Sequence, residues 1–449
     1  MTEKPKHQSQ ILRLLCLSNG HGEDIIAVRI LQSLQQYLRS ETEAVHNSIP
    51  NIVALPLVGE GRAYTQHGIP IIGSVKTMPS GGFVYMDGRE LIRDLQGGLL
   101  QLTLAQLKAI KNWTKHGDGA MGNPPNTSPL SPPILLVLAV GDIVPLLFAW
   151  LSGANYAFVG TAKSEYYVQD ENGTLPRKSL FARLENWSGS VYLPWERWLM
   201  SHPRCKAVFP RDSLTAQVLK KWSIPAFDLG NPMMDVEPVT DLHTNSQSER
   251  SLTVLLLPGS RPPEAYSNWE QIITAVTNLS VSSDRPLLFL GAIAPSLSLD
   301  PFCQTLESQN WHRSTLEFDS IQNWQALTFT QNNASIILTQ HAYDKCLHMA
   351  QVAIAMAGTA TEQFVGLGKP AITFPGKGPQ FTYAFAEAQS RHLGASIIFL
   401  EHPNQVAFAL QSLLNDPHRL IQIAENGLRR MGKPGAARRI AQCLLELAN

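Results

Sequence analysis

Residues 352–363 read VAIAMAGTATEQ: a strand, a turn and a helix start within a dozen positions. The run Val352–Met356 is apolar without alternation, which is the pattern of a strand buried on both faces of a parallel sheet. Gly358 then lets another chain or a ligand approach the backbone closely, and Thr359-Ala360-Thr361-Glu362-Gln363 opens a helix. The unpaired first amides of such a helix, with about half a positive charge, point at whatever lies beyond the strand. Glu362 stands one turn past the glycine, spaced to form a capping box with Thr359 or to meet the hydroxyls of a bound ribose.

The same alternation extends in both directions. Downstream strands are predicted at Ala371–Phe374 and Ser396–Phe399, and upstream ones at Thr253–Leu257, Pro286–Leu290 and Ala334–Leu338. Before the polar stretch 233–250, a second series is predicted at Leu12–Leu17, Ile52–Leu57, Ile69–Gly73, Ile134–Val140, Tyr156–Val159, Ala207–Phe209 and Ala226–Leu229. Strands alternating with helices imply βαβ units and two doubly wound sheets, whose ligands sit at the carboxyl ends of the strands. Residues 114–133, rich in Gly, Pro, Asn and Ser, read as a loop. The apolar stretch 134–151 carries Asp142 and Pro145 in its middle, so it reads as strand, turn and helix and not as a membrane span.

Composition narrows the function. Charged residues make up 16% of 449, below the roughly 25% usual for globular chains, and 36 cations balance 36 anions. A hydrophobic share of 44% excludes intrinsic disorder, and zero net charge argues against a broad nucleic-acid-binding field. Five scattered cysteines without CxxC or zinc-ligand spacing suit a reducing compartment, and the opening residues lack the pattern of a signal peptide. A cytoplasmic protein is expected. Ile92, Leu95, Leu99 and Leu102 recur at helical spacing, with Lys108, Lys111, Lys115 and His116 beyond them. Such a helix could lie on an anionic membrane or simply face the core.

Three further loops carry candidate chemistry. After the first strand comes Asn19-Gly20-His21-Gly22-Glu23-Asp24, a glycine-rich turn with a histidine able to take a hydroxyl proton near neutral pH. After Thr253–Leu257 comes Pro258-Gly259-Ser260-Arg261-Pro262-Pro263-Glu264, where Arg261 can grip a phosphate and Ser260 supplies a donor. After Ala371–Phe374 comes Pro375-Gly376-Lys377-Gly378-Pro379-Gln380, in which Gln380 suits sugar hydroxyls.

The blocks Leu257–Arg261 with Glu264, Gly358–Glu362, Val140-Gly141-Asp142 and Val208–Pro210 through Leu229–Asp235 together resemble lipid-A-disaccharide synthase and its relatives, in one order across residues 12–445. The His-Gly pair after the first strand is more similar to the acceptor loop of the lipid II and galactolipid transferases. The resemblance implies a GT-B glycosyltransferase: two Rossmann-like parallel-sheet domains, an interdomain cleft and a C-terminal helix crossing back. Its implied divisions are an acceptor-binding domain over 1–232, a linker over 233–250, a nucleotide-sugar-binding domain over 251–420, and helices over 421–449 packing on the first domain. It places Gly259, Ser260, Arg261, Gly358, Thr359 and Ala360 around the donor diphosphate, Glu362 on the ribose and Gln380 on the sugar. Gly20, Gly22, Glu23 and Asp24 would form the acceptor loop. The implied reaction is an inverting transfer from a UDP-sugar to a lipid-linked acceptor, as in lipid A biosynthesis, at the cytoplasmic face of a membrane. No cofactor, metal or nucleic acid is expected, and the base is either His21 or Asp142. A UDP-sugar 2-epimerase and a catalytically silent nucleotide-sugar-binding protein are the alternatives.

Overall fold

The computed structural model describes residues 12–20, 22–42, 51–76, 99–116, 134–175, 187–236, 251–282, 285–315 and 324–448. Two compact units result: Met1–Asp170, Pro176–Asp235 and Lys433–Asn449 form the first, and Glu171–Leu175 with Val236–Gly432 the second. The expected linker falls mostly on 237–250, outside the described residues.

The first unit holds a five-stranded parallel sheet in the order β2-β1-β3-β4-β5, built from β1 (Leu12–Ser18), β2 (Asn51–Pro56), β3 (Ile134–Gly141), β4 (Asn155–Gly160) and β5 (Cys205–Pro210). Its strands are almost wholly buried, as continuous apolar runs require. Ile69–Gly73 and Ala226–Leu229 are not strands: each touches the sheet through a single bridge, Ala54 with Ile71 and Val208 with Ala226. Helix α1 (Gly22–Thr42) follows β1, and α2 (Arg62–Gln66) follows β2. Helix α3 (Leu99–His116) runs through Thr114-Lys115-His116, the start of the expected loop; the rest of that loop lies outside the described residues. The apolar stripe of α3 faces the core, since Leu102, Ile110 and Trp113 are buried and Gln106 donates to the carbonyls of Leu57 (3.0 Å) and Ser74 (3.3 Å). Ile92 and Leu95 lie outside the described residues, and Leu100 and Leu104 of the same helix are exposed. Residues 134–151 form β3, a turn at Asp142 and helix α4 (Ile143–Leu151), with Pro145 in the first turn, where a missing N–H is harmless. Helices α5 (Pro194–Ser201) and α6 (Ser213–Lys220) complete the layers around β5. No helix among the described residues is long and apolar enough to cross a membrane.

The second unit holds an eight-stranded sheet in the order β8-β9-β10-β7-β6-β11-β12-β13. Its strands are β6 (Leu252–Leu257), β7 (Leu287–Ala292), β8 (His312–Ser314), β9 (Leu327–Gln331), β10 (Ala334–Thr339), β11 (Val352–Ala355), β12 (Ala371–Thr373) and β13 (Ile397–Phe399). All neighbours are parallel except β8-β9 and β9-β10, an antiparallel edge that the sequence reading lacked. Helix α7 (Glu264–Ser282) follows β6, α8 (Asp300–Ser308) follows β7, α9 (Tyr343–Met349) follows β10, α10 (Thr359–Gly366) follows β11, α11 (Tyr383–Leu393) follows β12, and α12 (Val406–Leu414) follows β13.

The return to the first unit starts at Lys433, not at residue 421. Helix α13 (Pro417–Met431) stays with the second unit because buried Arg430 donates to the carbonyls of Arg391 and His392, both at 2.7 Å, and because Asn426 donates to Leu393 O at 2.7 Å. Gly432, at φ 79°, ends it. Helix α14 (Ala436–Ala448) then packs on α1, where Arg438 Nε donates to Tyr37 Oη at 3.0 Å. Asp235 caps it: one carboxylate oxygen accepts from the amides of Gly435 and Ala436 (3.0 Å), the other from Ala437 (2.6 Å).

Candidate functional site

In the second unit the chain runs outward from β6 in one direction and returns to the other side at β11, so the sheet reverses between these two neighbours. A crevice outside the carboxyl ends of the strands is expected there. The two loops that leave this point are Pro258–Arg261 and Met356–Gly358, and they are tied together: Met356 N donates to Leu257 O at 2.8 Å. Gly259 has φ +100°, and a Cβ on it would stand 3.3 Å from Met356 O. Its glycine is demanded by the backbone.

Gly358 differs. Its φ is −81°, and a Cβ would meet nothing closer than the Phe385 ring at 3.7 Å. Packing does not require a glycine there, and its φ is not left-handed. The carbonyls of its turn are occupied: Ala357 O accepts from Thr361 Oγ1 (2.6 Å) and Gln389 Nε2 (3.0 Å), and Gly358 O accepts from the amides of Thr361 and Glu362. Gly358 is the N-cap of α10 and makes no side-chain cap, so the expected capping box of Thr359 with Glu362 does not form. The amides of Thr359 and Ala360, the first two of the helix, have no intrahelical partner. Glu362 turns inward, 7% exposed, with Oε1 3.7 Å from Nε2 of the buried His392.

The third loop, 375–381, is held to the first by a residue whose role the sequence reading missed. Glu264, in the first turn of α7, is buried, and its Oε1 accepts from the amides of Gln380 (3.1 Å) and Phe381 (2.6 Å). A Cβ at Gly378 would lie 2.5 Å from Glu264 Oε1. One carboxylate thereby gathers Gly259, Ser260, Arg261 and Gln380 onto the same edge as Gly358, Thr359 and Ala360. Asn268, one turn further along α7, holds Pro258 O at 3.0 Å, and Gly376 N closes its own loop on Phe381 O at 2.8 Å. Ser260 and Gln380 are exposed and Arg261 is half-buried.

In the first unit the order reverses between β1 and β3, again at the carboxyl ends. His21 lies outside the described residues. Gly20, at φ +93°, would place a Cβ 2.3 Å from Val58 O, so the chain itself accounts for this glycine, whereas Gly22 faces open space. Asp24 is buried: Ser18 Oγ donates to its Oδ1 at 2.6 Å and in turn accepts from Tyr64 Oη at 2.6 Å. Burial pushes the Asp24 carboxyl up to about 6 against the Ser18 hydrogen bond. Burial also raises the Glu23 carboxyl, with the charge of Asp142 adding to it, and Thr161 Oγ1 reaches Glu23 Oε1 at 3.4 Å. Asp142 is the N-cap of α4, its Oδ1 accepting from Val144 N at 2.8 Å. Three carboxylates thus line this edge. Among the described residues no group of three or more His, Cys, Asp or Glu side chains is arranged to hold a metal ion.

No family model matches the chain. No curated protein matches it either. Among solved structures, the S. aureus MnaA–UDP complex superposes with a TM-score of 0.55 at 12% identity, over 97% of this chain and 98% of that one. The UDP-GlcNAc 2-epimerase of Neisseria meningitidis bound to UDP-GlcNAc gives 0.50 at 14%, over 97% and 100%. MurG of Acinetobacter baumannii gives 0.50 at 14%, over 97% and 99%. The chain therefore has the GT-B fold, with two Rossmann-like parallel sheets.

Proposed function

We propose that this protein is a glycosyltransferase that moves a sugar from a UDP-sugar, of the UDP-N-acetylglucosamine type, to a lipid-linked acceptor. The observation that carries the donor half is Gly358, a glycine with room for a Cβ and no left-handed φ, at the head of a helix whose first two amides lack intrahelical partners. An anion drawn up to that backbone is the simplest reason for it. Arg261 and the first turn of α10 would meet the charge that develops on the leaving nucleotide diphosphate, and Glu362 and Gln380 would read ribose and sugar. A base on the first unit, His21 or Asp142, would take the proton of the acceptor hydroxyl as its oxygen attacks the anomeric carbon and the bond to the diphosphate breaks. The nucleotide-sugar is a substrate in this reading, and no metal takes part. Resemblance to lipid-A-disaccharide synthase supports the lipid acceptor and a place on the cytoplasmic face of a membrane.

A second reading, a UDP-sugar 2-epimerase, is supported by the shared fold of the Neisseria enzyme. The two separate in one experiment. UDP-N-acetylglucosamine incubated with the protein alone yields an epimer only if the second reading holds, whereas release of UDP that depends on added membrane lipid extract supports transfer. A thermal-shift panel of UDP-, GDP- and TDP-sugars precedes it. If no sugar nucleotide moves the melting temperature of the wild-type protein, both readings fall.

A further inference from the structure

The chain has nine tryptophans. Four of them, all between residues 187 and 222 of the first unit, are exposed: Trp187 by 74%, Trp195 by 51%, Trp198 by 54% and Trp222 by 46%. The other five are buried or half-buried. Trp195 and Trp198 lie one turn apart on α5, and a contact with Arg197 ties Trp222 to the same helix. Trp198 on α5 packs edge-on against Trp150 of α4, with ring centroids 5.3 Å apart, and against His202 at 6.1 Å. Trp222 lies under the guanidinium of Arg197, 3.8 Å from its ring centroid, and a Cβ on Gly189, two residues from Trp187, would touch Trp222 at 3.8 Å. Leu147, on the same helix as Trp150, adds a partly exposed apolar side chain.

Within 187–223 the exposed charges have one sign. Lys206, Lys220 and Lys221 are exposed and Arg204 is half-buried, while the acids in 187–223, Glu196 and Asp212, are buried. Glu196 is further taken by Lys163 at 2.6 Å and by the amide of Leu193 at 2.8 Å. Indole rings with an apolar body and one polar N–H settle at the boundary between acyl chains and headgroups. Lysines beside them add attraction to anionic lipid. The geometry points to this face, Trp187, Trp195, Trp198 and Trp222 with Lys220 and Lys221, as the surface by which the protein docks on an anionic bilayer. The inference gives the lipid-acceptor reading its contact with the membrane, yet it stands on side chains remote in sequence from the donor loops.

The test uses the full chain with vesicles of phosphatidylcholine alone or containing about 30% phosphatidylglycerol, enough to set a negative surface potential. Co-sedimentation with the anionic vesicles, weakened by salt, and quenching of tryptophan emission by brominated acyl chains are expected. Lys220→Gln with Lys221→Gln should lower the partition coefficient about twenty-five-fold, near fivefold per lysine. Trp187→Ala with Trp195→Ala should remove the bromine quenching contributed by those rings. Because both lysines are exposed, their result stands even if the tryptophan variant misfolds. No binding to anionic vesicles, or binding that neither variant weakens, would overturn the inference. So would a concentration-dependent dimer that Trp187→Ala with Trp195→Ala dissolves, since the patch would then join two copies of the chain. A null thermal-shift panel with normal vesicle binding would sink only the donor reading.

Discussion

Gly358→Ala separates a glycine kept for folding from one kept for a ligand. In the folded chain the new methyl meets only the Phe385 ring at 3.7 Å, an ordinary contact, and φ is −81°, outside the left-handed region. Alanine at an N-cap costs about 0.5–1 kcal/mol relative to glycine. The stiffer unfolded chain returns about 0.4–1 kcal/mol. Stability should therefore change by less than about 0.5 kcal/mol. Binding should not be spared if a phosphate packs against this backbone, because a methyl at the head of the helix hinders its close approach to the amides of Thr359 and Ala360. Losing about 2–3 kcal/mol of charge-assisted hydrogen bonding weakens Kd about thirty- to a hundred-and-fiftyfold. Calorimetric titration with UDP and a UDP-sugar, beside ligand-free melting curves, reads both quantities. Gly259→Ala supplies the contrast: at φ +100° it forces a strained backbone costing about 1–2 kcal/mol, so it should melt earlier even without ligand. Unchanged stability with unchanged Kd at Gly358→Ala would show that nothing anionic approaches that turn, and the reasoning for the donor site would fail.

Glu264→Ala should lower the melting of the second unit by an amount equivalent to about 2–3 kcal/mol, because the buried amide of Phe381 loses its acceptor. Glu264→Gln, which keeps an acceptor oxygen, should recover more than half of that; equal losses in both variants would deny the carboxylate its role in holding the loop. Asp235→Ala should cost about 1–2 kcal/mol in urea unfolding by uncapping α14, and a fully stable variant would refute the cap. Asp24 gives a pH signature. Its folded carboxyl keeps its proton to about pH 6, whereas the unfolded chain releases it near pH 4. The group therefore favours folding below pH 4, and that advantage is lost as pH rises to 6. Asp24→Asn, which can still accept from Ser18, should flatten the slope and stabilise the protein at pH 7 by up to about 3 kcal/mol. Parallel urea midpoints for wild type and variant from pH 4 to 7 would contradict the shift.

Much of the fold could be read because its signal is local. Val352–Ala355, Ile134–Gly141 and Leu252–Leu257 are unbroken apolar runs, and burial between two helical layers leaves no polar face to blur them. What was illegible depends on distant partners. Strands His312–Ser314 and Leu327–Gln331 are short and half-polar because they form an exposed antiparallel edge, so no run of apolar residues marks them. Ile69–Gly73 has strand composition, yet it pairs through one bridge only. The boundary near residue 421 was misplaced because amphipathicity does not say which surface a helix covers; Arg430 does, through carbonyls 38 and 39 residues away.

The same distinction applies to the motifs, and it changes what they mean. Asn231, Asp235 and Glu264 lie in the blocks that resemble lipid-A-disaccharide synthase, where they invite assignment to substrate. Asp235 is already committed to the start of α14 and Glu264 to the 375–381 loop, whereas Asn231 spends only its Oδ1, on the amide of Met233, and its buried Nδ2 has no hydrogen-bond partner. A polar residue whose hydrogen bonds are filled by its own chain is positioned, not offered. Applied to the glycines, the rule runs the other way. Gly20 and Gly259 are explained by Val58 O and by a positive φ, respectively, and Gly358 is explained by neither. The residues left over once the fold has taken its share are the ones that can face a substrate. In the second unit they include Gly358 with the two amides behind it, and the exposed Ser260 and Gln380 on the loops that Glu264 gathers.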